Sequence, residues 1–337
     1  MLAHGEPGQW PLDPHLHPDV LVVVALVAAG YWLALGRLGP RRGAPPATRR
    51  EVLLLAAGVA TLFVFSEWPV HDLAEGYLYS VHMVQHSAYT LLLPPLFILG
   101  TPGWLWRLML RPVMGAFRAL IRPVPAVSIF SVVTVITHLP PVVTASVRSA
   151  PAHLGLHVLL VVAAVLMWWP LLGPLPEAPR LTAPVHRMLY VFGQSLVPSV
   201  VGSALIWTTA VPYRVYEEFP PVWGIDDLED QQWAGVIMEA VEGFVLIGLI
   251  VAVFLPLVRR QLRSPSSTMD RLGRTADDHP PSRSGDDLDR DTQGQQLGQL
   301  GDPGVAHADA AVADVPPEAG RVTRAVQTEN ARPAVTE

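Results

Sequence analysis

SVHMVQHSAYTLLLPPLFILGTP, residues 80–102, reads as a bilayer-spanning segment that carries two histidines where hydrocarbon should begin. A span needs roughly 20 apolar residues at about 1.5 Å each, and this stretch supplies most of them. His82 and His86 stand four apart, so on a helix they share one face with Cβ atoms about 5–6 Å apart. Two imidazoles so placed can chelate one metal, or two with help from a neighbour. Neutral imidazole suits copper, zinc, iron and nickel, and thioether sulfur favours Cu(I).

The surrounding chain has the same apolar character up to about Val258. Half of the 337 residues are apolar, and the formal net charge is −6. Seven segments are long enough or nearly so: 20–36, 52–68, 82–100, 126–143, 154–172, 187–210 and 233–258. Residues 104–121 are apolar but interrupted by Arg107, Arg111 and Arg118, and are expected to lie in the interface. Arginine then assigns the sides. Arg37, Arg41, Arg42, Arg49 and Arg50 follow the first segment. Arg107, Arg111, Arg118 and Arg122 follow the third, Arg180 and Arg187 the fifth, and Arg259, Arg260 and Arg263 the last. The opposite loops hold only Arg148 and Arg214. The positive-inside rule makes the Arg-rich links cytoplasmic. The expectation is an all-α polytopic bundle of seven transmembrane helices, N-terminus outside and C-terminus inside. Residues 1–19 form an extracytoplasmic arm, 20–258 the membrane domain and 259–337 a disordered cytoplasmic tail. That tail is rich in Asp, Arg, Pro, Ser and Gly and too poor in apolar side chains to offset the entropy of ordering.

Composition also excludes chemistry. There is no cysteine, so disulfides, Cys-based zinc or iron–sulfur sites and thiolate copper motifs are ruled out. All 23 basic residues are arginine, which rules out a Schiff base. No basic region precedes an apolar core at the N-terminus, so no cleavable signal peptide is expected.

With sides assigned, His82, His86, His138, His153 and His157 share the outer third of the membrane on three consecutive spans. His153 and His157 are again four apart. Taken singly, His138 and His71 read as interfacial hydrogen-bonding residues, and His4, His15 and His17 as part of a flexible polar arm. Two pairs at matching depth are another matter, because buried polar groups in membranes are costly and tend to be functional. Met83 and Met238 lie at similar depth. In the last segment, DDLEDQQWAGVIMEAVEGF (226–244), Asp230 looks like part of a helix start. Glu239 and Glu242 follow; they either support the same cluster or sit near the headgroups if the helix starts later. Pro94-Pro95 and Pro198 read as kinks. Trp68, Trp104, Trp106, Trp168, Trp169 and Trp233 read as an interfacial belt. Gly193, Ser195, Ser199, Gly202 and Ser203 permit close packing.

Taken in order, these motifs resemble the CtaG-type cytochrome c oxidase assembly factors. They are Ser80-x-His82-Met83-x-Gln85-His86, Pro94-x-Leu96, Gly100-x-Pro102, HLP at 138–140, the His153/His157 pair and WWPLLGPLP at 168–176. PYRVY at 212–216 and Asp230-Gln231-Gln232-x-x-Gly235-x-x-Met238 complete the set. The resemblance spans about residues 15–258. One departure is Glu239, where an aromatic residue is expected after the Met. The resemblance implies a multi-pass protein of the bacterial plasma membrane that is not an enzyme. It implies that copper is handed to the catalytic subunit of a haem–copper oxidase. His82, His86, His138, His153 and His157 would be the metal positions, and Met83, Asp230, Met238, Glu239 and Glu242 possible supports. No nucleic-acid partner is expected, and the oligomeric state is left open. The residues alone also admit a haem-binding membrane cytochrome, a metal-free scaffold for oxidase assembly, or a transporter. A transporter fits poorly with inner span halves that are nearly all apolar. A metalloprotease fits worse, since Met83 stands where HExxH needs its Glu.

Overall fold

The computed structural model describes residues 16–263, and these form helices and the links between them, without strands. The calls on residues 1–15, with His4 and His15, and on the tail from 264 onward lie outside the described residues. In chain order the helices are α1 (Pro18–Arg41), α2 (Arg49–Ser66), α3 (Val70–Gly76), α4 (Tyr79–Gly100), α5 (Gly103–Leu120) and α6 (Pro123–Thr137). Then come α7 (Pro140–Arg148), α8 (Ala150–Leu172), α9 (Pro184–Ile206) and α10 (Asp227–Arg263). Four of them, α1, α8, α9 and the first 26 residues of α10, are long and apolar enough to cross a membrane. The number rises to seven if each of three bent pairs is one span: α2 with α3, α4 with α5, and α6 with α7, bent by 45°, 104° and 71°. Large apolar side chains such as Leu26, Val124, Phe244 and Ile247 are exposed, as on a surface that faces lipid.

Local chemistry sets the ends. Thr48 and Glu51 form a reciprocal capping box at the start of α2. Proline stands in the first turn of α1, α6, α7, α8 and α9, where its missing N–H costs nothing. α4 begins without a side-chain cap of its own, at Leu78. The Asp230 carboxylate of α10 takes that place, accepting the amides of Tyr79 at 2.7 Å and Ser80 at 3.2 Å. An anion at these orphan N–H groups also faces the positive end of the helix dipole. Asp230 is therefore engaged in joining α10 to α4. Gln231 clamps both backbone groups of Tyr213, and Gln232 donates to the Thr208 carbonyl. The Asp-Gln-Gln run thus ties the 208–219 link to the bundle. Replacing Asp230 by Ala should lower stability by about 1–2 kcal/mol, the upper range for a lost cap. Asn, which keeps one acceptor oxygen, should cost less. Thermal unfolding in detergent checks both, and equal midpoints for all three proteins would refute the assignment.

The prolines of α4 do not break it. Their missing N–H groups release the carbonyls of Thr90 and Leu91. Here the backbone takes a π turn over Ala88–Leu92, and the Trp168 indole N–H donates to the Thr90 carbonyl at 2.8 Å. Trp168 and Trp169 are thus not belt residues: both are buried, at 3% and 0% exposure, in the core formed by α8 against α4, α6 and α9. Of the four long helices α8 is the most enclosed, with half of its apolar window buried against none for α1. Pro198 also lies inside a continuous helix.

Candidate metal centre

α10 begins at Asp227, six residues before the expected 233, so Glu239 and Glu242 lie about three and four turns into it. They diverge in use. Both Glu239 carboxylate oxygens accept from α9, one from Ser199 at 3.1 Å and the other from Ser203 at 3.0 Å. Glu242 is buried and borders a cleft with His86 and His138.

The spacing of the two histidine pairs puts His82 and His86 on one face of α4 and His153 and His157 on one face of α8. These faces meet. Ring centroids are 4.3 Å apart for His82–His86, 5.1 Å for His86–His157 and 5.6 Å for His82–His157. One ligating nitrogen from each of these three lies within 4.8 Å of the others. Around a metal at about 2.0–2.1 Å from each nitrogen, the nitrogens stand roughly 3.4 Å apart. Ring rotations that move each nitrogen by about 1 Å close that gap. The donor atoms also suit an ion. His82 Nδ1 and His157 Nε2 are buried and without a hydrogen-bond partner, a condition that native proteins seldom leave unexplained.

Neighbouring side chains fix this group. Tyr79 stacks on His82 at 5.7 Å, and Tyr89 meets the His157 ring edge-on at 5.2 Å. Tyr89 is held by Ser66 at 2.6 Å, and Gln85 donates to the Phe65 carbonyl at 2.6 Å, which locks the polar face of α4 onto α2.

The other two histidines lie at opposite edges. The His153 ring is 4.1 Å from His157, but its Nε2 turns to Glu75 Oε1 at 2.5 Å and its Nδ1 to Ser146 at 3.1 Å. His138 lies beyond His86, with centroids 5.8 Å apart. The Thr134 carbonyl, 2.7 Å from His138 Nδ1, can only accept, so Nδ1 carries the proton and the lone pair is on Nε2. That Nε2 is buried without a partner.

The sequence reading missed a carboxylate–histidine chain beside the triad. Glu75 Oε1 is 3.2 Å from His71 Nδ1 as well as close to His153. The His17 and His71 rings are 4.9 Å apart. His17 is buried, with Nδ1 3.4 Å from Glu67 and Nε2 3.4 Å from Asp72, and its amide N–H is 3.2 Å from both Glu67 oxygens. This corrects the reading of His17 as part of a flexible arm. His71 lies in α3. The one sequence signal was the i,i+4 spacing of His71 and Glu75.

The profile of the cytochrome c oxidase caa3 assembly factor family (Caa3_CtaG) matches residues 29–260. The chain belongs to this family. Neither the curated proteins nor the solved structures contain a match to it. Membership makes the chain a cytochrome c oxidase assembly factor, which implies association with that oxidase. What the assembly factor adds in its own residues is a histidine triad able to hold a metal ion.

Proposed function

We propose that this assembly factor receives copper at His82, His86 and His157 and delivers it to the catalytic subunit of a haem–copper oxidase in the bacterial plasma membrane. The convergence of three imidazoles from α4 and α8, with unpartnered nitrogens on His82 and His157, is the observation that carries the reading. Each bent pair counts as one span, so seven helices cross the bilayer with the N-terminus outside. The Arg-rich links, the C-terminal end of α10 and the tail are then in the cytoplasm. The triad lies just under the outer surface, in a cavity bordered also by Glu75 of α3 and Tyr216 of the 208–219 link. His153 and His138 flank it, one oriented by Glu75 and the other by Thr134.

Such a site suits a carrier. Imidazole and thioether ligands exchange readily, and without thiolates the ion is held less tightly than in a Cys site. Cargo at this depth reaches a membrane-embedded acceptor sideways, without crossing the bilayer. A strain lacking the protein should accumulate the oxidase catalytic subunit with its haem but without its copper. The wild-type chain should restore the metal, and a His82→Ala/His86→Ala double variant should not. Full copper content in either deficient strain would overturn the proposal. So would a Soret band in the purified protein, which would assign the histidines to haem instead.

A further inference from the structure

His86 borders two cavities. One opens on the side of Glu75, His82, His153 and His157. The other lies on the opposite face, with Met83, His138, Met238 and Glu242 in its wall. Beside His86 itself, the donors of this second cavity are of a different kind: the His138 lone pair, two thioethers and a carboxylate. His138 is held ready there, since Thr134 fixes its tautomer and its backbone carbonyl accepts from the Tyr213 hydroxyl at 2.9 Å. Its free Nε2 is buried at a residue only 8% exposed. Buried polar atoms of this kind are normally satisfied, and water-sized space beside them invites a ligand.

We propose that this cavity is a second metal station, formed by His86, His138, Met238 and Glu242 with Met83 beside it, which accepts a univalent copper ion from the triad. Soft thioether sulfur selects Cu(I) over zinc or the harder divalent ions. The carboxylate offsets the positive charge of an ion held away from water. His86 is common to both stations. An ion that keeps its His86 bond exchanges the nitrogens of His82 and His157 for His138 nitrogen and a thioether sulfur. Two coordination bonds break, two form, and no electron moves. The second station rests on reading the triad as a copper site, and it makes the pair a directed path.

Titration of the purified full-length protein with Ag(I), a redox-inert analogue of Cu(I), combined with X-ray absorption at the silver edge, tests this. Wild-type protein should show mixed nitrogen and sulfur ligands. His82→Gln/His157→Gln should still bind one equivalent with sulfur in the shell. His138→Gln/Met238→Leu should bind one equivalent through nitrogen alone. Elution profiles matching wild type establish that each variant is folded, and Met238→Leu alone, which conserves volume, should already reduce the sulfur signal. A nitrogen-only shell in wild type, with all binding lost in His82→Gln/His157→Gln, overturns the second station and leaves the triad standing. Binding kept in that pair and abolished in His138→Gln/Met238→Leu overturns the triad instead. No binding in wild type overturns both.

Discussion

Purified protein carrying His86→Ala is expected to lose more than about 100-fold in Cu(I) affinity, while His153→Ala loses about 10–100-fold. The difference follows from position. His86 is central, with its ring 4.3 Å from His82, 5.1 Å from His157 and 5.8 Å from His138. Removing it takes a ligand from either arrangement of the ion, whereas His82 or His157 belongs to one. His153 stands beside the triad but its nitrogens are turned to Glu75 and Ser146. Its loss acts through the orientation of its neighbours, and outer partners of this sort typically contribute 10–100-fold. A 100-fold loss is about 2.7 kcal/mol. Competition against a chromophoric chelator under anaerobic conditions measures it. Equal losses for the two variants, or a larger one for His153→Ala, would show that the ion sits nearer Glu75 than the triad.

Much of this arrangement was legible because it obeys local periodicities. Apolar runs of sufficient length gave the helices, and i,i+4 spacing put each histidine pair on one face. What was hidden depends on long-range partners. Glu75 and His17 join the polar cluster because α3 leaves α2 at a 45° bend that brings its side chains to the histidines, and no periodicity announces a seven-residue helix. Asp230 reads as the start of its own helix, yet its oxygens cap α4, 150 residues away in sequence. Trp168 and Trp169 sit near a span end, where tryptophan is common at interfaces. Only the orphaned Thr90 carbonyl, created by Pro94, explains why one of them is drawn inward. His138 was grouped with the other four by depth. Its hydrogen bond to Thr134 sets which way the ring faces, and depth carries no such information.

The largest loss of stability is expected at a residue with no chemistry at all. A methyl group on Gly235 would lie 2.5 Å from the Gly202 carbonyl oxygen and 2.9 Å from the Ile206 amide nitrogen. These are backbone atoms of α9, which no rotamer change can move, so α9 and α10 would have to separate. Within a membrane there is no hydrophobic force between helices to compensate, and close backbone approach is itself the source of association. Gly235→Ala should therefore cost about 3 kcal/mol, the upper end of what overpacking usually costs. The reciprocal change is milder. A methyl on Gly202 would meet the Glu239 side chain and the Gly235 carbonyl oxygen, each at 3.3 Å. Contacts at that distance need a shift of only a few tenths of an ångström, and Gly202→Ala should cost about 1 kcal/mol. Thermal unfolding in detergent should rank wild type above Gly202→Ala above Gly235→Ala, and the reverse order of the two variants would refute the packing argument. Gly235→Ala should also weaken metal binding although it touches no ligand. α10 carries Asp230, which caps the helix bearing His82 and His86, and it carries Met238 and Glu242 at the second cavity. Moving that helix away from α9 disturbs both ends of the path at once.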